Sequence, residues 1–365
     1  MKTAEIINFL ETVAPTALQE DYDNSGLIVG DPGMECKGAM VCLDITDDVL
    51  TEALQTGINL VISHHPLVFR GMKRFSEKNP VGRLLIRAIR ENLMIYAIHT
   101  NLDNTWDGVS FKMAEKLGLE KPSVLDPKKG QLLKLITFVP LNHVDKVRNA
   151  LFEAGAGEIG NYSECSFASE GNGSFKAGDQ TDPFVGEKGR RHLEPESRLE
   201  VILPIFRDKA VIQALKASHP YEEVAFDLVP LANVFERAGS GVVGSLPSAM
   251  EEKHFLALVQ KEFDIPMIRH SALKGEPIQR VALCGGAGSF LIPKALQAGA
   301  DIFMTGDLKY HDFFEADGRI ILADIGHYES EQYTQDLLID RLKQKFPNFA
   351  VLKTGVRTNP VNYFL

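Results

Sequence analysis

The feature that most constrains this fold is a series of short, almost wholly apolar runs, each stopping abruptly at polar or titratable residues. "KGAMVCLDIT" (37–46), "INLVISHH" (58–65) and "LMIYAIHTNLD" (93–103) are the first three. Amphipathic segments flank and separate them: "KTAEIINFLETVA", "DDVLTEALQTG", "PVGRLLIRAIREN" and "GVSFKMAEKLGL" carry apolar residues at helical spacing. Apolar strands alternating with helices predict a sheet covered on both faces. Asp47 or Asp48 is placed to cap the helix that Gly57 stops.

Near residue 127 the texture changes. "DPKKGQLLKLITFVP" reads as a strand and "NHVDKVRNALFEAGAG" as a helix. The stretch 161–198 is rich in Gly, Ser, Asp and Glu and reads as a hairpin or mobile loop. "RLEVILPIF", "RDKAVIQALKASHP" and "EEVAFDLVPL" then give strand, helix, strand, the pattern of a small ferredoxin-like domain. After residue 234 the first texture returns, with "QRVALCGGAG", "ADIFMTGD" and "RIILADIGHYESE" as strands running into turns, the last followed by a long helix. The expected organisation is α/β: one two-part module over 1–127 and 234–365, interrupted by a ferredoxin-like α+β insert over 128–233.

Length and composition agree with this. A chain of 365 residues suggests two or three domains, and 44% hydrophobic with 24% charged residues is ordinary for a globular protein. Forty-nine acids against 39 Lys and Arg leave a net charge of −10, which argues against a large nucleic-acid surface. No apolar run is long enough to cross a bilayer, and the N-terminal segment reads as an amphipathic helix with three glutamates, not a signal peptide. The four cysteines form no CxxC pair; they read as reduced thiols of a cytoplasmic protein.

The strand ends carry the chemistry. His64 and His65 close an apolar strand, where successive side chains diverge yet both reach the sheet mouth. Adjacent imidazoles are awkward for one ion and natural for two neighbouring ions, and ligands of open α/β sheets sit at the carboxyl ends of strands. Asp103, following His99, Thr100 and Asn101, is placed to add a carboxylate to the same edge. His327 and Glu331 are i, i+4 at a strand-to-helix junction, so one helix face carries an imidazole and a carboxylate about 5–6 Å apart at Cβ. Glu329 points about 160° away around the helix, which leaves Glu331 as the partner. Three imidazoles and two carboxylates shared over two ions, with Glu331 bridging, leave open positions for water, as hydrolytic metal sites require. The mixed N/O set suits Zn, Fe, Mn, Co or Ni. Ser63 is a candidate to orient an imidazole. His311, near Asp307 and Lys309 in "TGDLKYHDFF", is a candidate general acid or base. The turn "CGGAGSF", with Gly285, Gly286 and Gly288, is a candidate anion cradle, and with Lys309 it is expected to receive substrate phosphates. Asp23, Asn24 and Gly26 in "YDNSGLIVGD" read as a turn leading into a strand.

"DNSGL", "SHHPLVF", "HTNLD", "GGAG", "TGD" with "KYHD", and "DIGHYESE" together resemble the GTP cyclohydrolase 1 type 2 homologues, or Nif3-like proteins, over both flanks of the chain. "ASHPYEEVAFDLVPL" resembles the PII-like (CutA-like) insert of their longer bacterial members. The resemblance implies a Nif3-like module with mixed sheets and a dinuclear site. In it, His64, Asp103 and Glu331 hold one divalent ion, and His65, His327 and the shared Glu331 hold the other. It also implies a toroidal homohexamer whose inserts cap the ring openings, and hydrolytic action on a nucleotide such as GTP, in which activated water attacks the purine ring or a phosphoester. The competing reading is a non-catalytic metal-binding regulatory or assembly protein whose PII-like insert binds a small effector.

Overall fold

The computed structural model of the chain describes residues 1–364, which divide into two compact units: 1–127 with 237–364, and 128–236. Each is a mixture of helices and strands.

The first unit contains two mixed sheets. One has the spatial order Gly26–Val29, Met94–Ala97, Leu60–Ser63, Ala39–Cys42, Val351–Lys353, parallel except for the antiparallel first strand. Its strands are apolar throughout because both faces are covered. Val41, Ile62 and Tyr96 pack on one side with Ile6, Leu10 and Leu338, while Met40, Val61 and Ile95 pack on the other with Leu50 and Leu84. The second sheet runs Arg269–His270, Ile321–Asp324, Ile302–Gly306, Ile278–Ala287, Phe235–Met250, Glu120–Lys128, with its three central strands parallel. It alternates in the same way: Val281, Leu283, Ile302 and Met304 face one core, and Ala282, Phe303 and Leu322 the other. Truncating any one of these buried aliphatic side chains costs about 2–5 kcal/mol. With both faces packed, the strand ends are the edges left open.

The second unit has one antiparallel sheet in the order Ser166–Lys176, Arg191–Pro204, Leu132–Pro140, Phe226–Pro230. Helices Val144–Glu153 and Asp208–Ser218 cover a single face, packing Val147, Leu151, Val211 and Leu215 on Leu133, Leu135, Leu199, Val201 and Leu203. The polar stretch 161–198 is largely a hairpin, with residues 166–176 paired along 191–201. Its glycines and acids are tolerated because the outer strand is exposed along most of its length.

Several local expectations are corrected. The second long helix, Asp47–Gln55, is capped by Thr46, whose side chain accepts from Val49 N; Asp47 instead lies inside the first turn and receives Arg83 and Arg87. The strand before Asp103 stops at Ala97, and Asp103 lies on the single helical turn Thr100–Asp103. The last long helix is broken into His327–Glu331 and Thr334–Lys345.

Candidate metal centre

His64, His65, Asp103, His327 and Glu331 converge at the carboxyl ends of strands from the two sheets of the first unit. The β-ladder continues past Ser63, with His64 N donating to Cys42 O and His65 N to Leu43 O, so both imidazoles leave a fixed backbone. His327 starts its helix after Gly326, whose φ of 92° and whose closeness to Glu329 leave no room for a side chain. Glu331 follows one turn later on the same face, while Glu329 turns away and accepts a hydrogen bond from Asn359.

His64 Nε2 lies 3.6 Å from both Asp103 Oδ1 and Glu331 Oε1. Glu331 Oε2 lies 3.0 Å from His65 Nε2 and 3.2 Å from His327 Nε2, and these two nitrogens are 3.2 Å apart. His64 is wholly buried and Glu331 is 2% exposed. The outer nitrogens explain why the inner ones converge. His64 Nδ1–H donates to Ile98 O at 2.8 Å, His65 Nδ1–H to Asp44 Oδ1 at 2.8 Å, and His327 Nδ1–H to Asp307 Oδ2 at 2.7 Å. Each bond fixes a tautomer whose lone pair on Nε2 faces inward. Lone pairs packed this closely repel unless a cation lies among them. His64 Nε2, Asp103 Oδ1 and Glu331 Oε2 are buried without a hydrogen-bond partner. Two donors held at about 2.1 Å by a tetrahedral ion stand about 3.4 Å apart, within the observed spread. Two groups, His64–Asp103–Glu331 and His65–His327–Glu331, therefore have the donor types and spacing to hold a metal ion; His64, His65 and His99 form a third such group.

Electrostatics point the same way. Burial opposes charging of His65, but the neighbouring carboxylates of Asp44 and Glu331 outweigh it and raise its pKa to about 10; His327 is raised to about 11 against the same penalty by the carboxylates of Asp307 and Glu331. Burial alone would raise Glu331, yet the surrounding imidazoles hold it well below the usual carboxylate range. Burial, and then the Glu331 charge, push Asp103 up to about 7. The cluster is thus built to attract positive charge.

Other sequence-level candidates lie differently. Ser63 donates to the His65 carbonyl and not to a ring. The glycine turn is no anion cradle. Its amides are taken, Gly285 N by Ser110 Oγ, Gly286 N by Ser330 Oγ and Gly288 N by Thr305 Oγ1. What the turn needs is room: a Cβ on Gly286, at φ 64°, would sit 2.3 Å from Glu331 Oε1. Lys309 and His311 are exposed and do not line the cavity over the cluster. That cavity, about 380 Å³, is instead bounded by Tyr22, Phe69, His99 and Phe290 together with the cluster. Sequence reading did not single out His99, Asp44, Asp307 or Asp23 for this site. Asp23 receives His99 Nδ1–H at 2.7 Å and also the Thr100 hydroxyl. The signal for each of the three aspartates was a lone Asp after an apolar run or turn, and for His99 a single His after an apolar run, both too common to select.

Fold and cluster define a mixed α/β protein with a candidate metal centre at facing strand ends. The chain belongs to the Duf34/NIF3 (NGG1p interacting factor 3) family, whose family model matches residues 1–360. It is 38% identical over 364 residues to a Halalkalibacterium halodurans protein named GTP cyclohydrolase 1 type 2 homolog, covering 98% of both chains. A Bacillus subtilis protein of the same name is 40% identical over 326 residues, covering 89% of this chain and 87% of that one. Among solved structures, a Bacillus cereus protein related to NIF3 matches 100% of this chain and 99% of its own, with TM-score 0.87 and 34% identity. Among the described residues no helix is long and apolar enough to cross a membrane.

Proposed function

We propose that the chain is a metal-dependent hydrolase acting on a nucleotide. His64, Asp103 and Glu331 would hold one divalent cation, and His65, His327 and the shared Glu331 a second. The observation that carries this reading is the set of partnerless buried donors, His64 Nε2, Asp103 Oδ1 and Glu331 Oε2, set against ring nitrogens whose tautomers are fixed from behind. When bound, a pair of such cations supplies Lewis-acid polarisation and a lowered pKa for water.

The chain's own residues do the rest. Asp44, Asp307 and the Ile98 carbonyl hold the imidazoles in register. Tyr22, Phe69 and Phe290 give the cavity aromatic walls suited to a planar heterocycle. His99, held by Asp23, takes the proton-carrying role in place of the exposed His311. The nucleotide class rests on the name of the curated relatives and on those aromatic walls. The unit 128–236 is taken as PII-like because its strands, in chain order, lie 2-3-1-4 across an antiparallel sheet, the ferredoxin-like arrangement. A toroidal homohexamer is carried by family membership alone, and light scattering on the purified chain tests it.

The activity test is to strip the chain with chelator, reload it with Mn or Zn, and supply GTP. Formate and a pterin precursor support attack on the purine ring. Released phosphate or GMP supports phosphoester cleavage. Retained metal with no turnover of any nucleotide overturns the hydrolase and leaves a metal-holding regulatory protein.

A further inference from the structure

The second unit has a cavity of its own, about 660 Å³, on the sheet face opposite its helices. The alternation of strand residues explains the position. Leu199, Val201 and Leu203 point at the helices, so Glu196 and Arg198 point the other way, and Phe138 pairs directly with Arg198 across the sheet. The residues opposite Glu196 are Gly171 on one neighbour and Pro140 on the other. The missing side chains on the glycine strand make room. A Cβ on Gly173 would stand 2.0 Å from Glu196 Oε2, so this carboxylate occupies the space a larger residue would fill.

Glu196 is 8% exposed, and its Oε1 accepts a 2.8 Å hydrogen bond from Tyr221 Oη. Tyr221 is itself fixed: its N–H donates to His219 Nδ1, and His219 Nε2–H donates to Phe138 O. Phe175 and Phe184 stand with ring centroids 6.2 Å from Tyr221, and both line the cavity that Glu196 enters. Glu170, Glu222 and Glu223 also line the cavity, against Lys176 and Arg198. Arg198 donates through Nε to Glu200. A buried carboxylate with one hydrogen bond and aromatic neighbours is stabilised by a cation that also stacks on rings. A phosphate-bearing ligand would meet excess negative charge, four carboxylates against two cations.

We infer that this cavity binds a small organic cation, an amine or guanidine on an apolar body, with its charged group on Glu196 and its body against Phe175, Phe184 and Tyr221. The site lies wholly within 128–236 and is independent of the metal reading.

Titration calorimetry on the full chain, with phenethylamine, the isosteric 2-phenylethanol, phenylacetate and ATP as probes, tests this. Saturable amine binding is expected, at least about tenfold tighter than the alcohol, with no measurable binding of phenylacetate or ATP. Glu196→Gln is expected to weaken the amine by about tenfold. Phe184→Ala, at a position 51% exposed and so not needed for folding, is expected to weaken it about threefold. If Glu196→Gln fails to fold by circular dichroism, Phe184→Ala decides. The inference is overturned by amine binding absent up to about 10 mM, by alcohol or ATP binding as tightly as the amine, or by folded variants that bind unchanged.

Discussion

The two units use a buried glutamate in opposite settings. Glu331 is ringed by imidazole nitrogens whose far sides are anchored to Asp44, Asp307 and a backbone carbonyl. Glu196 is held by a phenol and shares its cavity with phenyl groups. Directional lone pairs suit an inorganic cation; π faces suit an organic one. The difference follows from how each sheet is covered. Where both faces are packed, polar chemistry is confined to strand ends. Where only one face carries helices, the other face is free to form a cavity.

The comparison breaks first at Glu331. Glu331→Gln should lower affinity for Mn or Zn by more than about 100-fold, read by titration calorimetry, because both donor groups share this carboxylate. Retained affinity would mean the imidazoles suffice without it. Asp44→Asn or Asp307→Asn should cost about 10–100-fold, since each frees the ring it orients without removing a donor. Gly286→Ala should destabilise the chain by about 1–3 kcal/mol in denaturant titration, through a positive φ and the clash with Glu331.

The remaining effect is one of pH. His65 and His327 have folded pKa values of about 10 and about 11, raised above an unfolded value of about 6.5. In chelated protein this stabilisation is fully present below the unfolded pKa and is lost as pH rises through the folded values. The thermal midpoint of the stripped chain should therefore fall as pH is raised from neutrality towards 10 and 11. The loaded chain should show the opposite slope through neutrality, because protons and metal compete for the same nitrogens. Parallel slopes would mean that metal does not occupy the imidazoles.

Much of the first unit was legible because its signals are local. Apolar runs marked doubly covered strands, the His64–His65 pair marked a strand end, and the i, i+4 spacing singled out Glu331 over Glu329. What brings these residues together is not local, and the partners fixing the rings were missed for that reason: Asp44 and Asp307 lie 21 and 20 positions from the histidines they hold. The glycine turn misled because glycine serves equally to free an amide and to admit a neighbour, and only packing separates the two. In the second unit, the stretch 161–198 read as hairpin or loop with no choice between them, because a strand exposed on its outer edge needs no apolar alternation; the structure makes it largely a hairpin. Its cavity left no signal, since Gly173 matters only once Glu196 is seen lying over it.

The central claim is tested most directly by counting metal. Elemental analysis of the chelator-stripped chain after reloading with Mn or Zn and desalting should find two ions per chain, and Glu331→Gln should lose both together. A chain that binds no ion, or a folded Glu331→Gln variant that keeps its full complement, would contradict the account.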